Sequence, residues 1–269
     1  MSHKLTFQEF GQGQVLLLFH GFGGSPHHCK AVAQELASDY RVVVPNLSHL
    51  YHSADKIFFS VQVSAIAKFI QEEFPGQKVH VAGVSYGGAL AWALASRHPY
   101  LVQALSLVNP MVCDPVKHFI PLEMKFFFSV PLNLRSIYLM LHSPLGKSFL
   151  KKAALFFRSE RVDGVGAIET LEGRKLQFVA HIIHKFTWIL KNEDWSSWSP
   201  LLYNFRGDCQ IIFSEDDGLF SQESFQKFAR HIGCESVHRL PTGGHLVIRT
   251  EPEKVAQLIR EFLVKQIAA

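Results

Sequence analysis

Residues 78–98 read KVHVAGVSYGGALAWALASRH, and the six at 83–88, GVSYGG, decide how the chain folds. The apolar run KVHVAGV at 78–84 has the length and β-branched content of a buried strand, and YGGALAWALASRH at 86–98 has those of a helix stopped by Pro99. Between them, Gly83, Ser85 and Gly87 stand in G-x-S-x-G spacing. Two glycines around a serine serve an ordinary strand-to-helix turn. They equally serve a nucleophile elbow, a strained turn that presents a serine Oγ and needs small neighbours to avoid clashes. Deciding between a turn and a nucleophile requires a base, an acid and an oxyanion site elsewhere in the chain.

The same alternation extends outward. VLLLFH at 15–20 and YRVVVPN at 40–46 read as buried strands, joined by a helix over 27–38 with Ala31, Val32, Leu36 and Ala37 at roughly helical spacing. A helix over 57–74 ends before Pro75-Gly76, and ALSLVNP at 104–110 is another strand. The rhythm resumes with the strand CQIIFS at 209–214, a helix over 221–232, SVHRLP at 236–241, and a last helix from about 251 to 267. Thr250 and Glu253 have capping-box spacing at that last start, with Pro252 in the first turn. Repeated βα units demand a mainly parallel twisted sheet with helices on both faces. Residues 111–198 break the rhythm: FFFSVPLNL, IYLMLH, ALFF and HIIHKFTWIL read as several helices. The expected organisation is an α/β core of residues 1–110 and 199–269, with 111–198 inserted after the strand ending near Asn109 as a helical cap over the carboxyl ends of the strands.

At 269 residues, 48% hydrophobic and 19% charged, the chain has the composition of one large globular α/β domain with an insertion. The N-terminal MSHKLTFQEFGQGQ has no apolar core, and VLLLF at 15–19 is far shorter than the roughly 20 residues of a spanning helix, so neither a signal peptide nor a membrane span is expected. Cys29, Cys113, Cys209 and Cys234 are dispersed without a C-x-x-C pair, which fits reduced thiols and a cytoplasmic protein. The net charge of +4 is too small to imply nucleic acid. All of the excess lies in residues 111–198, where 12 Lys and Arg face 8 Asp and Glu, leaving 15 against 15 elsewhere. Within 114–158 the count is 7 against 2 on an oily segment, which allows weak association of the cap with an anionic membrane surface beside the blander reading of a solvated helix face. Histidine pairs at 27/28 and 181/184 have no carboxylate at matching spacing, so no metal site is expected.

HGFGGS at 20–25 follows the first strong strand, and the backbone N–H of Phe22, paired with that of Tyr86, would form an oxyanion hole. Neither donor depends on its side chain. There is no G-x-G-x-x-G, no G-K-[ST], and Asn46 stands where a dinucleotide site carries an acid, so no nucleotide or other cofactor is expected. Asp216 and Asp217 in SEDDG follow the strand CQIIFS, where a carboxylate can orient an imidazole; Asp114, after Asn109-Pro110, is a third candidate. His245 in PTGGHLV at 241–247 is the base: of 15 histidines, it alone sits in a glycine-rich loop between the last strand and the last helix.

The order Ser85, Asp217, His245, each at the carboxyl end of a predicted strand, resembles the α/β-hydrolase superfamily in its serine-nucleophile, esterase-like branch with a helical cap. The resemblance covers most of 15–110 and 205–265 and is strongest in HGFGGS, GVSYGG and GGHLV. In SEDDG, Ser214 replaces the family's glycine, and the family spacing selects Asp217 over Asp216. PNLSHLYHSAD at 45–55 departs from the family, which has a glycine-containing turn there. The resemblance implies a serine hydrolase that cleaves a carboxylic ester or thioester, with an apolar acyl or alcohol part, through an acyl-enzyme; Ser rather than Asp at 85 argues against dehalogenases and epoxide hydrolases. Acyl transfer and carbon-carbon bond hydrolysis use the same residues. The rival of another class is a non-catalytic scaffold binding a hydrophobic ligand or partner. The aromatic cap segments suit an apolar acyl wall, and equally the packing of the cap's own core.

Overall fold

The valine- and leucine-rich runs assemble into one seven-stranded sheet in the computed structural model of the chain. The structure describes residues 5–52, 58–112, 114–130, 133–148, 173–198, 205 and 207–267. Strands β1 (Phe7–Phe10), β2 (Gln14–Phe19), β3 (Tyr40–Pro45), β4 (Val79–Val84), β5 (Val102–Val108), β6 (Asp208–Ser214) and β7 (Ser236–Leu240) lie in the order β1-β3-β2-β4-β5-β6-β7. All neighbours are parallel except β1, which runs antiparallel on β3 with Phe7 opposite Pro45. Covering both faces requires the strands to be apolar throughout, and Leu16, Leu17 and Leu18 of β2 are all fully buried. β1 is absent from the sequence reading: its FQEF is four residues long and only partly shielded, too brief a signal beside Gly11 and Gly13.

Helices α1 (Lys30–Leu36), α2 (His49–His52), α3 (Phe59–Glu73) and α4 (Tyr86–Arg97) follow the early strands; α1, α3 and α4 lie close to the predicted positions, and the single-turn α2 falls in the segment read as a loop. The first begins one turn late, because Pro26–Cys29 winds as a 3-10 turn. Leu16, Leu18, Val42, Val44, Ala82 and Val84 face α1 and the C-terminal helix, while Leu17, Phe19, Val81 and Leu105 share the opposite core with α3 and α4. At the C-terminal end the expected helix from about 251 to 267 runs from Pro252 to Ile267, preceded by a helical turn at Val247–Thr250 that the sequence did not mark. The Thr250 hydroxyl donates to Gly243 O, 2.7 Å away, tying this start to the preceding loop.

Between β5 and β6 the described residues hold α5 (Pro115–His118), α6 (Leu122–Ser129), α7 (Leu134–His142), a turn of helix at 144–148, α8 (Gly173–Asn192) and a 3-10 turn at Trp195–Trp198. The ALFF segment lies outside the described residues, as does Cys113. Ile137 and Leu141 of α7 pack on Leu176 and Ala180 of α8 as a small aliphatic core. The aromatic residues Phe119, Phe128, Trp195 and Trp198 instead join the main core. Ile120 N–H donates to Leu219 O, Phe59 N–H to Glu193 Oε2, and the Trp198 indole N–H to Glu193 Oε1. Trp198 lies under the Arg97 guanidinium, 3.8 Å from its ring centre. These contacts fasten both ends of the insertion beside the strand ends. Among the described residues no helix is long and apolar enough to cross a membrane.

Candidate active site

Ser85 is the single residue between β4 and α4, and its backbone stands at φ 53, ψ −120. A non-glycine residue in this region costs on the order of 1–3 kcal/mol and persists only where its surroundings fix it. They do. Ser85 N–H donates to Val108 O at 3.1 Å, and its carbonyl accepts Met111 N–H at 2.8 Å and Ala89 N–H at 3.1 Å. A Cβ on Gly83 would lie 2.3 Å from Gly87 O, and one on Gly87 would lie 2.5 Å from both Phe19 O and His20 O. The glycines of G-x-S-x-G are thus required by close backbone approach.

Ser85 Oγ lies 2.8 Å from His245 Nε2, and His245 Nδ1 donates to Asp217 Oδ2 at 2.8 Å. The other Asp217 oxygen, Oδ1, accepts the N–H groups of Leu219 and Phe220 at 2.7 and 3.1 Å. A carboxylate held by two amides and a ring N–H fixes the imidazole with its Nε2 lone pair toward the serine hydroxyl. The structure separates the three acids named from sequence. Asp216 Oδ1 accepts Gly244 N–H at 2.8 Å together with the Ser214 hydroxyl, and Asp114 pairs with Lys117.

The HGFGGS loop runs beside the serine: a Cβ on Gly21 would lie 3.5 Å from Ser85 Cβ and 3.9 Å from its Oγ. Gly24 N–H donates to Gly21 O at 3.0 Å, closing a turn around Phe22, with Gly23 at φ 71. Buried His20 anchors this loop. Its Nδ1 donates to Gly21 O at 2.9 Å and its Nε2 accepts Leu47 N–H at 3.1 Å, an arrangement only a neutral imidazole provides. Burial lowers its pKa to about 4, and the nearby His28 adds to the lowering. That Leu47 N–H ties the glycine-free segment after β3 to the same loop, and within the segment Asn46 Nδ2 donates to His49 Nε2 at 3.1 Å. Residues 53–55 of that segment lie outside the described residues. Tyr86 opens α4, where backbone N–H groups point out of the helix end and carry its partial positive charge.

Rings surround these groups. Phe22 lies 5.0 Å from Tyr86 and 4.7 Å from Phe186 of α8, and contacts continue from Phe186 to Phe128, Phe119 and Phe220, the last 6.1 Å from His245. Sequence reading missed one polar residue here, Asn109, at the end of β5. It is fully buried at φ 38, and its side chain is hydrogen-bonded to three residues more than 100 positions away. Its partners are distant in sequence, so no local pattern marks it. Among the described residues no group of three His, Cys, Asp or Glu side chains is placed to hold a metal ion.

A serine after the strand at the sheet's centre, followed along the chain by a carboxylate after β6 and a histidine after β7, is the layout of α/β hydrolases. The chain belongs to that family: the signature described as alpha/beta hydrolase fold matches residues 14–252. Lipase 1 of Psychrobacter immobilis is 30% identical over 112 residues, 39% of this chain and 35% of that protein. Pimeloyl-[acyl-carrier protein] methyl ester esterase of Vibrio cholerae is 34% identical over 108 residues, 40% of this chain and 41% of that protein. The chain thus spans well under half the length of either relative. A thermophilic esterase from Thermogutta terrifontis shares the fold with a TM-score of 0.72 at 21% identity, covering 97% of this chain and 93% of that one.

Proposed function

We propose that the protein is a serine hydrolase that cleaves a carboxylic ester or thioester with an apolar acyl or alcohol part. The observation that carries this reading is the 2.8 Å approach of His245 Nε2 to the Oγ of a serine held at φ 53. Ser85 Oγ attacks the carbonyl carbon as His245 Nε2 takes its proton, and Asp217 stabilises the imidazolium that forms. The backbone amides of Phe22 and Tyr86 stabilise the tetrahedral oxyanion. Collapse returns the proton from His245 to the departing alcohol or thiol and leaves an acyl-Ser85 ester. Water, deprotonated by His245, then attacks that ester and releases the acid and Ser85.

In this reading residues 111–198 are a helical cap over a core of residues 1–110 and 199–269, and its partly buried Phe186, packed on Phe22, faces the substrate's apolar part. The names of the relatives, a lipase and a methyl ester esterase, fit an ester substrate. A fluorophosphonate probe tests the reading. Wild type labels covalently and Ser85→Ala does not; an unlabelled wild type sinks the mechanism.

A further inference from the structure

Asn109 closes β5, beside the central strand β4, and its side chain reaches both loops that complete the site. Its Nδ2 donates to Gly244 O at 2.8 Å and to His245 O at 3.1 Å, and its Oδ1 accepts Ser214 N–H at 2.8 Å. Two carbonyls on one side and an amide on the other allow a single orientation of the carboxamide. Its backbone N–H donates to Ile212 O at 2.9 Å, so these four bonds all cross to β6 or to the histidine loop. The residue is wholly buried and sits at φ 38, where asparagine and glycine are the residues that tolerate a left-handed backbone. Gly243 and Gly244, at φ 135 and 63, leave the loop before His245 little rigidity of its own.

We infer that Asn109 is a positioning residue: it locks the backbone of His245 to the end of β5 and to the start of the loop bearing Asp217, and so fixes the imidazole against Ser85. Ser85 N–H already donates to Val108 O, one residue before Asn109. The nucleophile, the base and the acid loop are therefore referenced to one point of β5. Asp216 holds the same loop from its other side through Gly244 N–H, so the loop is gripped at adjacent residues from two strands. This inference rests on the hydrolase reading.

Asn109→Gly removes the side chain where glycine suits the backbone, and Asn109→Asp keeps volume and the acceptor for Ser214 N–H while abolishing both donations to the histidine loop. Fluorophosphonate labelling of wild type comes first; its absence defeats the hydrolase reading and this inference with it. Given labelling, folded Asn109→Gly and Asn109→Asp should each show kcat on a short-chain p-nitrophenyl ester lower by roughly 100-fold, the scale of a 1 Å misplacement, with KM changed less than about threefold. The downfield proton resonance of the His245–Asp217 hydrogen bond should broaden while the remaining amide spectrum is kept. Activity within about threefold of wild type in either folded variant, or an unchanged resonance, overturns the inference and leaves the hydrolase reading standing. If neither variant folds, Asn109 is a folding element and the inference is likewise overturned.

Discussion

His245 Nδ1 stands 2.8 Å from Asp217 Oδ2, with side-chain exposures of 1% and 0%, while the neighbouring Asp216 turns its carboxylate to Gly244 N–H. Two adjacent acids thus hold one loop by different atoms. Asp217→Asn lets the ring adopt the wrong tautomer, so kcat should fall by on the order of 10³ to 10⁴ with the fold intact. Asp216→Asn keeps an acceptor for Gly244 and should lose roughly tenfold or less, since its bond orients backbone and not the ring. Asp114→Asn, at a partly exposed carboxylate paired with Lys117, should be near neutral. Steady-state rates of the three variants decide the matter. If Asp216→Asn or Asp114→Asn proved the most damaging, Asp217 would not be the acid.

His20 makes stability pH-dependent. Its pKa in the fold is about 4 against the ordinary 6.5. Between those values the unfolded chain takes up a proton that the folded chain refuses, so stability falls as pH drops from 6.5 to 4 and loses nothing further from this group below 4. The full loss is about 3 kcal/mol. Buried His80, lowered to about 4 by desolvation, adds a second site in the same window. Unfolding free energies from urea titrations at pH 7 and pH 4.5 should therefore differ by less in His20→Gln than in wild type. An identical difference would show that His20 is not a titrating site.

Gly83 and Gly76 separate crowding from backbone strain. A methyl on Gly83 meets Gly87 O at 2.3 Å, whereas Gly76, at φ 72, has nothing within 4 Å of its added Cβ. Gly76→Ala should cost only its left-handed backbone, roughly 1–2 kcal/mol. Gly83→Ala must push β4 and α4 apart, and should cost about 3 kcal/mol or more and abolish fluorophosphonate labelling. Thermal unfolding of both variants is the measurement; equal losses would mean that the elbow relaxes around the methyl.

The contrast between local and distant signals explains what the sequence revealed. Gly83, Gly87 and Gly24 are visible in sequence because close backbone approach is answered by the residue itself, and β2 to β6 are visible because two-sided burial makes their central runs apolar, while the partly exposed edge strand β7 shows only the short alternation SVHRL. Asp216 and Asp217 share one turn chemistry, so only the family spacing or the three-dimensional direction of each carboxylate separates them. Asn109 and His20 work through partners 135 and 27 positions away, and nothing in their neighbours announces it. The aromatic residues of the insertion are apolar whichever way they face. The structure gives Phe119, Phe128 and Trp198 to the main core and leaves the α7–α8 contact to aliphatic residues.

Among the described residues, Phe186 is the insertion's ring packed on the proposed oxyanion donors, 4.7 Å from Phe22 and 6.1 Å from Tyr86, with Phe128 5.5 Å from it. Its place on α8 over the HGFGGS loop is reinforced by Ile182, whose Cγ2 would meet a Cβ on Gly23 at 3.0 Å. A phenylalanine that contacts the acyl chain contributes in proportion to the chain it covers, roughly 0.8 kcal/mol for each buried methylene. Phe186→Ala should therefore leave p-nitrophenyl acetate hydrolysis within a few fold of wild type while kcat/KM for butyrate and hexanoate falls progressively, by about tenfold or more at the longer chain. Phe186→Leu, which keeps apolar volume, should restore most of the chain-length preference. A loss equal across the ester series would assign the ring to holding Phe22 in place and would remove it from the acyl wall.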